Sequence, residues 1–299
     1  MRPGSRKSKQ GVVTTRKGRC FLLTLFCLVF LVMTFIVQGQ DYGLVEEVGL
    51  GRIDWSNGLI QVVGYGAPPK GASGPQARLM ARGAAKADAY RNAAEVLNGV
   101  RVNSETYVRN YVMQSDEIRV VVEGFVRGAR IIKVNQQWDG MIELTIELPL
   151  GGQAGLAALL NRPEITESFS PMSPAFYDYP EAGVTTAYTG VIIDARNLGI
   201  KPALYPQIFD YEGNLLYAST MVNLARPGFT TIVAYARSLE LARKLPRLGT
   251  NPLVLTADSP VPASGEGQTD LVLGVEATKE FRRLNPEVIR DGAVVFIID

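Results

Sequence analysis

Histidine is absent from this 299-residue chain, and cysteine occurs only at Cys20 and Cys27. Both cysteines sit in or beside an apolar run near the amino terminus, so the rest of the chain has neither residue. That double absence excludes disulfides in the body, Cys–His nucleophile pairs, Ser-His-Asp triads, and the usual zinc and haem ligand sets. Acid is missing too, but only locally. Residues 1–40 hold seven bases (Arg2, Arg6, Lys7, Lys9, Arg16, Lys17, Arg19) and no Asp or Glu. Removing those seven from the 31 Lys and Arg leaves 24 bases against 29 acids, a net of −5 for the remainder. The formal charge of +2 therefore belongs to the leader, and nucleic acid is not an expected partner of the body.

What is present at the amino terminus reads as an export signal. The basic stretch precedes a 17-residue apolar run, Phe21 to Val37, interrupted only by Thr24 and Thr34, and Gln38-Gly39-Gln40 follows. Charge, apolar core and a small residue near the end describe residues 1–40 as a signal peptide or a signal anchor. The length is at the lower limit for a spanning helix. An uncleaved form would be anchored in the inner membrane by residues 21–37, with its basic end in the cytoplasm. Either way the body is expected to be exported, to the periplasm or cell envelope. Cys27 lies in mid-run behind Phe26 rather than a small residue, which argues against lipidation there.

Length suggests two domains of ~150 residues or fewer. Residues 41–61 form an amino-terminal strand segment ending at Asn57-Gly58, a strong two-residue turn signal, before the strand Leu59–Val63. Residues 62–152 form the first domain. The Gly/Pro density from Gly64 to Gly74 argues against regular structure. An alanine-rich helix then runs from about Gln76 to Asn98. Leu79, Gly83, Ala87, Tyr90, Ala94 and Leu97 recur at helical spacing, with Met80 and Ala84 beside them, and mark the expected buried face. Its mostly small residues would let the helix lie close to a sheet. Gly99 caps the helix. Alternating and β-branched stretches (Val100–Val112, Ile118–Val126, Ala129–Trp138, Met141–Leu148) predict three or four antiparallel strands, the last two joined at Asp139-Gly140. The expected fold class is thus α+β, one long helix packed on an antiparallel sheet. Residues 153–186, with Pro163, Pro171, Pro174 and Pro180, read as a Pro/aromatic linker. Residues 187–299 read as a second, mixed α/β domain, with a helix expected over Ala234–Leu245.

The first domain resembles the twenty-kilodalton envelope lipoprotein (LPP-type) family, which covers flagellar assembly protein P and is related to the amino-terminal domain of flagellar assembly protein T. The resemblance rests on Gly64-Tyr65-Gly66 after a strand and the Ala-rich helix ending Leu97-Asn98-Gly99. Val102-Asn103-Ser104-Glu105-Thr106, Gly124 to Gly128, and the hairpin from Trp138-Asp139-Gly140 to Leu148-Pro149 complete it. It spans roughly Val62 to Gly152, and its motifs are degenerate. It implies an exported envelope protein with a structural or assembly role, in some members around the flagellar basal body. The family has no catalytic residues to carry over, and the missing lipidation cysteine departs from its pattern. The carboxy-terminal half looks like the tail of uncharacterised exported proteins that share the first domain.

Few residues suggest chemistry. Gly64-x-Gly66 with Lys70-Gly71-Ala72-Ser73 lacks the order and spacing of a nucleotide loop, and Pro68 and Pro69 remove amides that would bind phosphate. Asp194 with Arg196 at a strand end is a candidate polar site, and Asp194 with Glu276 or Asp270 could form a carboxylate pair. Each also reads as a turn carboxylate or surface ion pair. Phe169, Phe176, Tyr177 and Tyr179 are candidates for partner contact, or for packing over the domain junction. Arg78, Arg82, Lys86 and Arg91 could meet an acidic partner or phospholipid, or simply face water. The expectation is a non-enzymatic envelope protein without cofactor or metal, contacting other envelope or flagellar proteins, with a homo-oligomer as one form of assembly. The alternatives are an exported carboxylate-based hydrolase and a small-ligand-binding module in the second domain.

Overall fold

The Asn57-Gly58 turn closes the second hairpin of the fold. Gly58 takes φ +69°, a conformation that glycine adopts without strain. The Asp54 carboxylate accepts from the Ser56 and Asn57 amides at 3.1 and 2.9 Å. A computed structural model describes residues 43–160, 187–224, 230–263 and 267–299. The leader, residues 21–37 within it, and Phe169, Phe176, Tyr177 and Tyr179 lie outside the described residues. Among the described residues no helix is long and apolar enough to cross a membrane.

The hairpin joins β2 (Gly51–Asp54) to β3 (Leu59–Gly66). With β1 (Val45–Val48), β4 (Arg130–Gln136) and β5 (Ile142–Pro149) these form a five-stranded antiparallel sheet, in the order β1-β2-β3-β5-β4. One long helix, α1 (Gly74–Asn98), packs across it, so the fold is α+β. β3 continues through Gly64 to Gly66, further than the glycine density suggested. The reason is close approach. A Cβ at Gly64 would fall on the backbone of Ala85 and Ala89, and one at Gly66 on that of Ala81 and Ala85.

The small-residue helix face exists, but it is not the one the apolar side chains marked. Ala77, Ala81, Ala85, Ala89 and Ala93 are buried four residues apart, followed by Val96 and Leu97. Leu79 is 71% exposed, and Met80 is exposed beside it. Over two strand glycines only a methyl-sized side chain fits, so steric room overrode hydrophobicity in choosing the face.

Two expected strands are helices. Val108–Gln114 forms α2 and Asp116–Arg127 forms α3. In α3, Ile118, Val122 and Val126 are buried at a spacing of four, while Val120 is exposed. Ser115 caps the helix by accepting from the Ile118 amide at 3.3 Å, and Asp116 and Glu117 occupy its positive first turn. Burial at period four and a good cap outweigh the β-branched composition. A short helix, α4 (Leu156–Leu160), follows β5.

The second part contains two further sheets. β6 (Gly190–Asp194), β9 (Ala234–Ala236), β10 (Pro252–Thr256) and β13 (Val294–Ile297) form a parallel sheet in the order β10-β6-β13-β9. β7 (Ile208–Asp210), β8 (Leu215–Tyr217), β11 (Ser259–Pro260) and β12 (Leu271–Leu273) form a mixed one, parallel only between β12 and β7. The helix expected over Ala234–Leu245 is confined to α5 (Leu239–Lys244), which starts where Ser238 accepts from the Leu241 amide at 3.2 Å. Ala234–Ala236 is instead strand, buried beside β13. Helices α6 (Val275–Arg282) and α7 (Pro286–Arg290) precede the last strand.

Gly43–Asp299 forms one compact unit. A single cluster of buried side chains runs from Leu44 through Trp55, Leu97 and Leu148 to Val191, Tyr235, Phe296 and Ile298. A smaller cluster on the other face of the parallel sheet joins Ile192, Ala234, Val295 and Ile297 to Ala242 of α5 and Leu248. The five-stranded sheet and the parallel sheet thus share a core.

Candidate functional site

Strand alternation gives the five-stranded sheet two different faces. Ile53, Ile60, Val62, Leu144, Ile146 and Leu148 are buried on the helix side. The intervening residues form the opposite face, and register sets them in rows. Glu47 pairs with Arg52, Arg52 with Gln61, Gln61 with Glu147, and Glu147 with Arg130, so one polar row crosses all five strands. Hydrogen bonds join its last four members. Arg52 Nε and Nη2 donate to Gln61 Oε1 at 3.1 and 2.5 Å. Gln61 Nε2 donates to Glu147 Oε2 at 2.9 Å, and Arg130 Nη2 to Glu147 Oε1 at 2.5 Å. Partial burial pushes the Glu147 carboxyl up, but the hydrogen bonds from Arg130 and Gln61 and the Arg130 charge outweigh it, leaving the group below its ordinary value. The row ends in an acid on β1 and a base on β4.

Both outer strands are edges. Among the described residues β1 pairs only with β2, and β4 only with β5. β4 is exposed along its length except at Ile131, which packs against the core, and Ile132 is 40% and Val134 42% exposed. Trp138, in the β4–β5 turn, is 98% exposed. A register shift between Ile131 and Lys133 bulges the strand. Near the start of β4 a pocket of about 770 Å³ lies between the second half of α3, the end of β5 and α4. Val121, Phe125, Leu148 and Leu159 line it, with the Arg130–Glu147 pair among its walls.

Asp194 ends β6, beside Thr256 of β10 and Ile297 of β13. It forms a two-pronged pair with Arg196, Nε to Oδ1 at 2.9 Å and Nη2 to Oδ2 at 2.5 Å. That hydrogen bonding, against some desolvation, holds its carboxyl below the usual value. Asn197 follows at φ +64°, and its amide donates to Asp299 Oδ2 at 2.6 Å. Neither other candidate carboxylate is bonded to Asp194. Glu276 accepts from Lys279 at 2.7 Å on the exposed side of α6. Asp270 is buried and accepts on Oδ1 from the Gln207 amide and the Thr269 hydroxyl, both at 2.9 Å. Burial pushes the Asp270 carboxyl up. Arg78, Arg82, Lys86 and Arg91 are all exposed on α1; Arg91 pairs with Asp88 at 2.5 Å, and Lys86 lies 5.4 Å from the Tyr90 ring centre.

The polar row and the two edges were not found from sequence. Single alternating strands are visible in a sequence, but which residue of one strand faces which of another is a matter of register. The charges at Glu47 and Arg130 are 83 positions apart and signal nothing until four ladders align them.

Among curated proteins, none matches the chain. Residues 190–299, from β6 to the carboxy terminus, match a family described as the second domain of Treponema pallidum Tp0624, so the parallel and mixed sheets are similar to that domain.

Proposed function

We propose that the protein is an exported cell-envelope component with a structural or assembly role, acting through protein–protein contacts and associated with a flagellar or other envelope structure. The observation that carries this reading is the edge strand β4, exposed over most of its length, whose outer side pairs with no strand among the described residues. A row of free backbone donors and acceptors is a template for another strand. The basic, apolar leader and the resemblance of residues 62–152 to the LPP-type family support export and an assembly role.

The test is gentle extraction of intact envelopes followed by size separation, for the wild-type chain and for one carrying Ile132→Lys and Val134→Lys on β4. The proposal expects wild type to travel with other envelope components and the variant to lose them while keeping its far-ultraviolet circular dichroism. Recovery of the wild type only as a free soluble monomer overturns the proposal.

A further inference from the structure

The two edges of the five-stranded sheet carry opposite charge. β1 contains Glu46 and Glu47 and no base. From Arg127 to Trp138 the chain has Arg127, Arg130 and Lys133 and no acid. Glu46 accepts from the Trp55 indole at 3.1 Å, and Arg130 is held by Glu147. Glu47 and Lys133, by contrast, meet no counter-ion among the described residues. Every neighbouring pair in the sheet is antiparallel, so the first and fifth strands, β1 and β4, run in the same direction.

We infer that the occupant of the β4 edge is a second copy of this chain, which adds its β1 in parallel and continues the sheet head to tail. The inference rests on the assembly reading and gives it a partner. In this arrangement Glu47 of the next copy stands beside Arg130, and the polar row passes from one sheet into the next. Two copies pairing β4 with β4 across a two-fold axis would instead set Arg130 and Lys133 of one close to the same bases of the other, and like charges on facing strands repel. The charge of Lys133 beside the bulge adds to that repulsion and does not deter an acidic edge. The acidic edge is the one that complements these bases.

Because each copy uses β4 on one side and β1 on the other, the contact is heterologous. Repetition of a heterologous contact gives a ring where the rotation closes and a filament where it does not. β1 has only four residues, so the contact is short. Its charged components make it sensitive to salt.

The test uses the full-length chain extracted in mild detergent, with Cys20→Ser and Cys27→Ser so that introduced thiols stand alone. Adjacent strands place paired Cα atoms about 5 Å apart, within disulfide range. A mixture of Glu47→Cys and Arg130→Cys chains is expected to give mixed dimers, and the doubly substituted chain a ladder of trimers and higher forms. Lys133→Cys, three residues or about 10 Å further along β4, is expected to cross-link poorly to Glu47→Cys. Glu47→Lys in the otherwise wild-type chain, by setting like charges together, should lower the multimeric fraction seen on size separation at low salt roughly tenfold. Homodimers of Arg130→Cys alone would overturn the head-to-tail arrangement in favour of a two-fold one. Absence of every cross-link would overturn self-association. Co-purification with other envelope components in that same preparation would then leave the assembly reading standing with a different partner, whereas a free monomer would remove both.

Discussion

Trp55 and Tyr235 meet edge to face, their ring centroids 6.0 Å apart and their planes at 77°. Tyr235 repeats the geometry with Phe296 at 5.9 Å and 89°, so three aromatic rings run from β2's end through β9 into β13. The contact is tied at the backbone as well: Ser56 Oγ accepts from the Leu44 amide at 2.8 Å and donates to the Tyr235 carbonyl. All three rings are essentially inaccessible to water.

Trp55→Ala is expected to cost about 3–5 kcal/mol, the usual loss for a large buried aromatic. Because the cavity opens between the five-stranded and parallel sheets, both should lose stability together. Differential scanning calorimetry with near-ultraviolet dichroism checks this. Wild type should melt in one transition and the variant in one transition at lower temperature; a variant in which the parallel sheet melts at its original temperature contradicts the shared core.

Gly64→Ala is expected to destabilise by about 1–3 kcal/mol or more, because the new methyl meets helix backbone, which has no rotamer to yield. Leu79→Ala, on the exposed side of the same helix, is expected to stay within about 0.5 kcal/mol of wild type. Urea midpoints of the two variants separate the steric face from the apolar one.

Asp210 is buried at the turn between β7 and β8. It accepts from the Glu212 and Asn214 amides at 2.9 and 2.8 Å and from Arg282 Nη2 at 2.5 Å. Burial pushes its carboxyl up, but Asn214, the two amides and the Arg282 charge prevail, and the folded value lies below the ordinary one. Its contribution is therefore complete above the unfolded carboxylate value, about 3.9, and is lost as pH falls through the lower folded value. Asp210→Asn is expected to cost about 1–3 kcal/mol at neutral pH, discounted for the partial exposure of Arg282. Thermal melts from neutral pH down to about pH 3 should show the gap between wild type and variant closing in acid.

Asp270 predicts the opposite slope. Its folded carboxyl lies above the unfolded value because of burial, so the folded state holds the proton more tightly. The charged form then lowers stability at neutral pH, and the loss is relieved as pH falls through the folded value towards the unfolded one. Asp270→Asn keeps an acceptor for the Gln207 amide and Thr269 hydroxyl, so it is expected to be neutral or stabilising at neutral pH. Its melting temperature should vary less with pH between neutral and mildly acidic solution than that of wild type.

The parts of the fold visible in sequence were those set by local chemistry. Asn57-Gly58 and Asp139-Gly140 mark real hairpins, and the long alanine helix and the alternating strand Ile142–Leu148 are present. The failures have one physical source. In Ile118–Val126 side-chain type and burial period disagree, and in Ala234–Ala236 all three residues are buried beside β13, so the surrounding packing decided both. On α1 the buried face was chosen by two glycines on another strand, which no helical periodicity reports. At the candidate site, Asp194 and Arg196 were legible as a pair because they are two residues apart. Asp210 with Arg282, and Glu47 with Arg130, are joined only by the folded topology.

The seating of α1 on β3 also restricts how this protein can move. Gly64 and Gly66 accept only alanines, and the residues one position off that row include Met80, Arg82 and Lys86. Rotating the helix, or sliding it by one residue, would drive one of these bulky side chains into strand backbone. The helix and strand therefore behave as a keyed pair that cannot ratchet through intermediate positions. Any rearrangement on assembly has to be carried by the strand edges, the β4–β5 turn and the loops, with α1 and β3 moving as one piece.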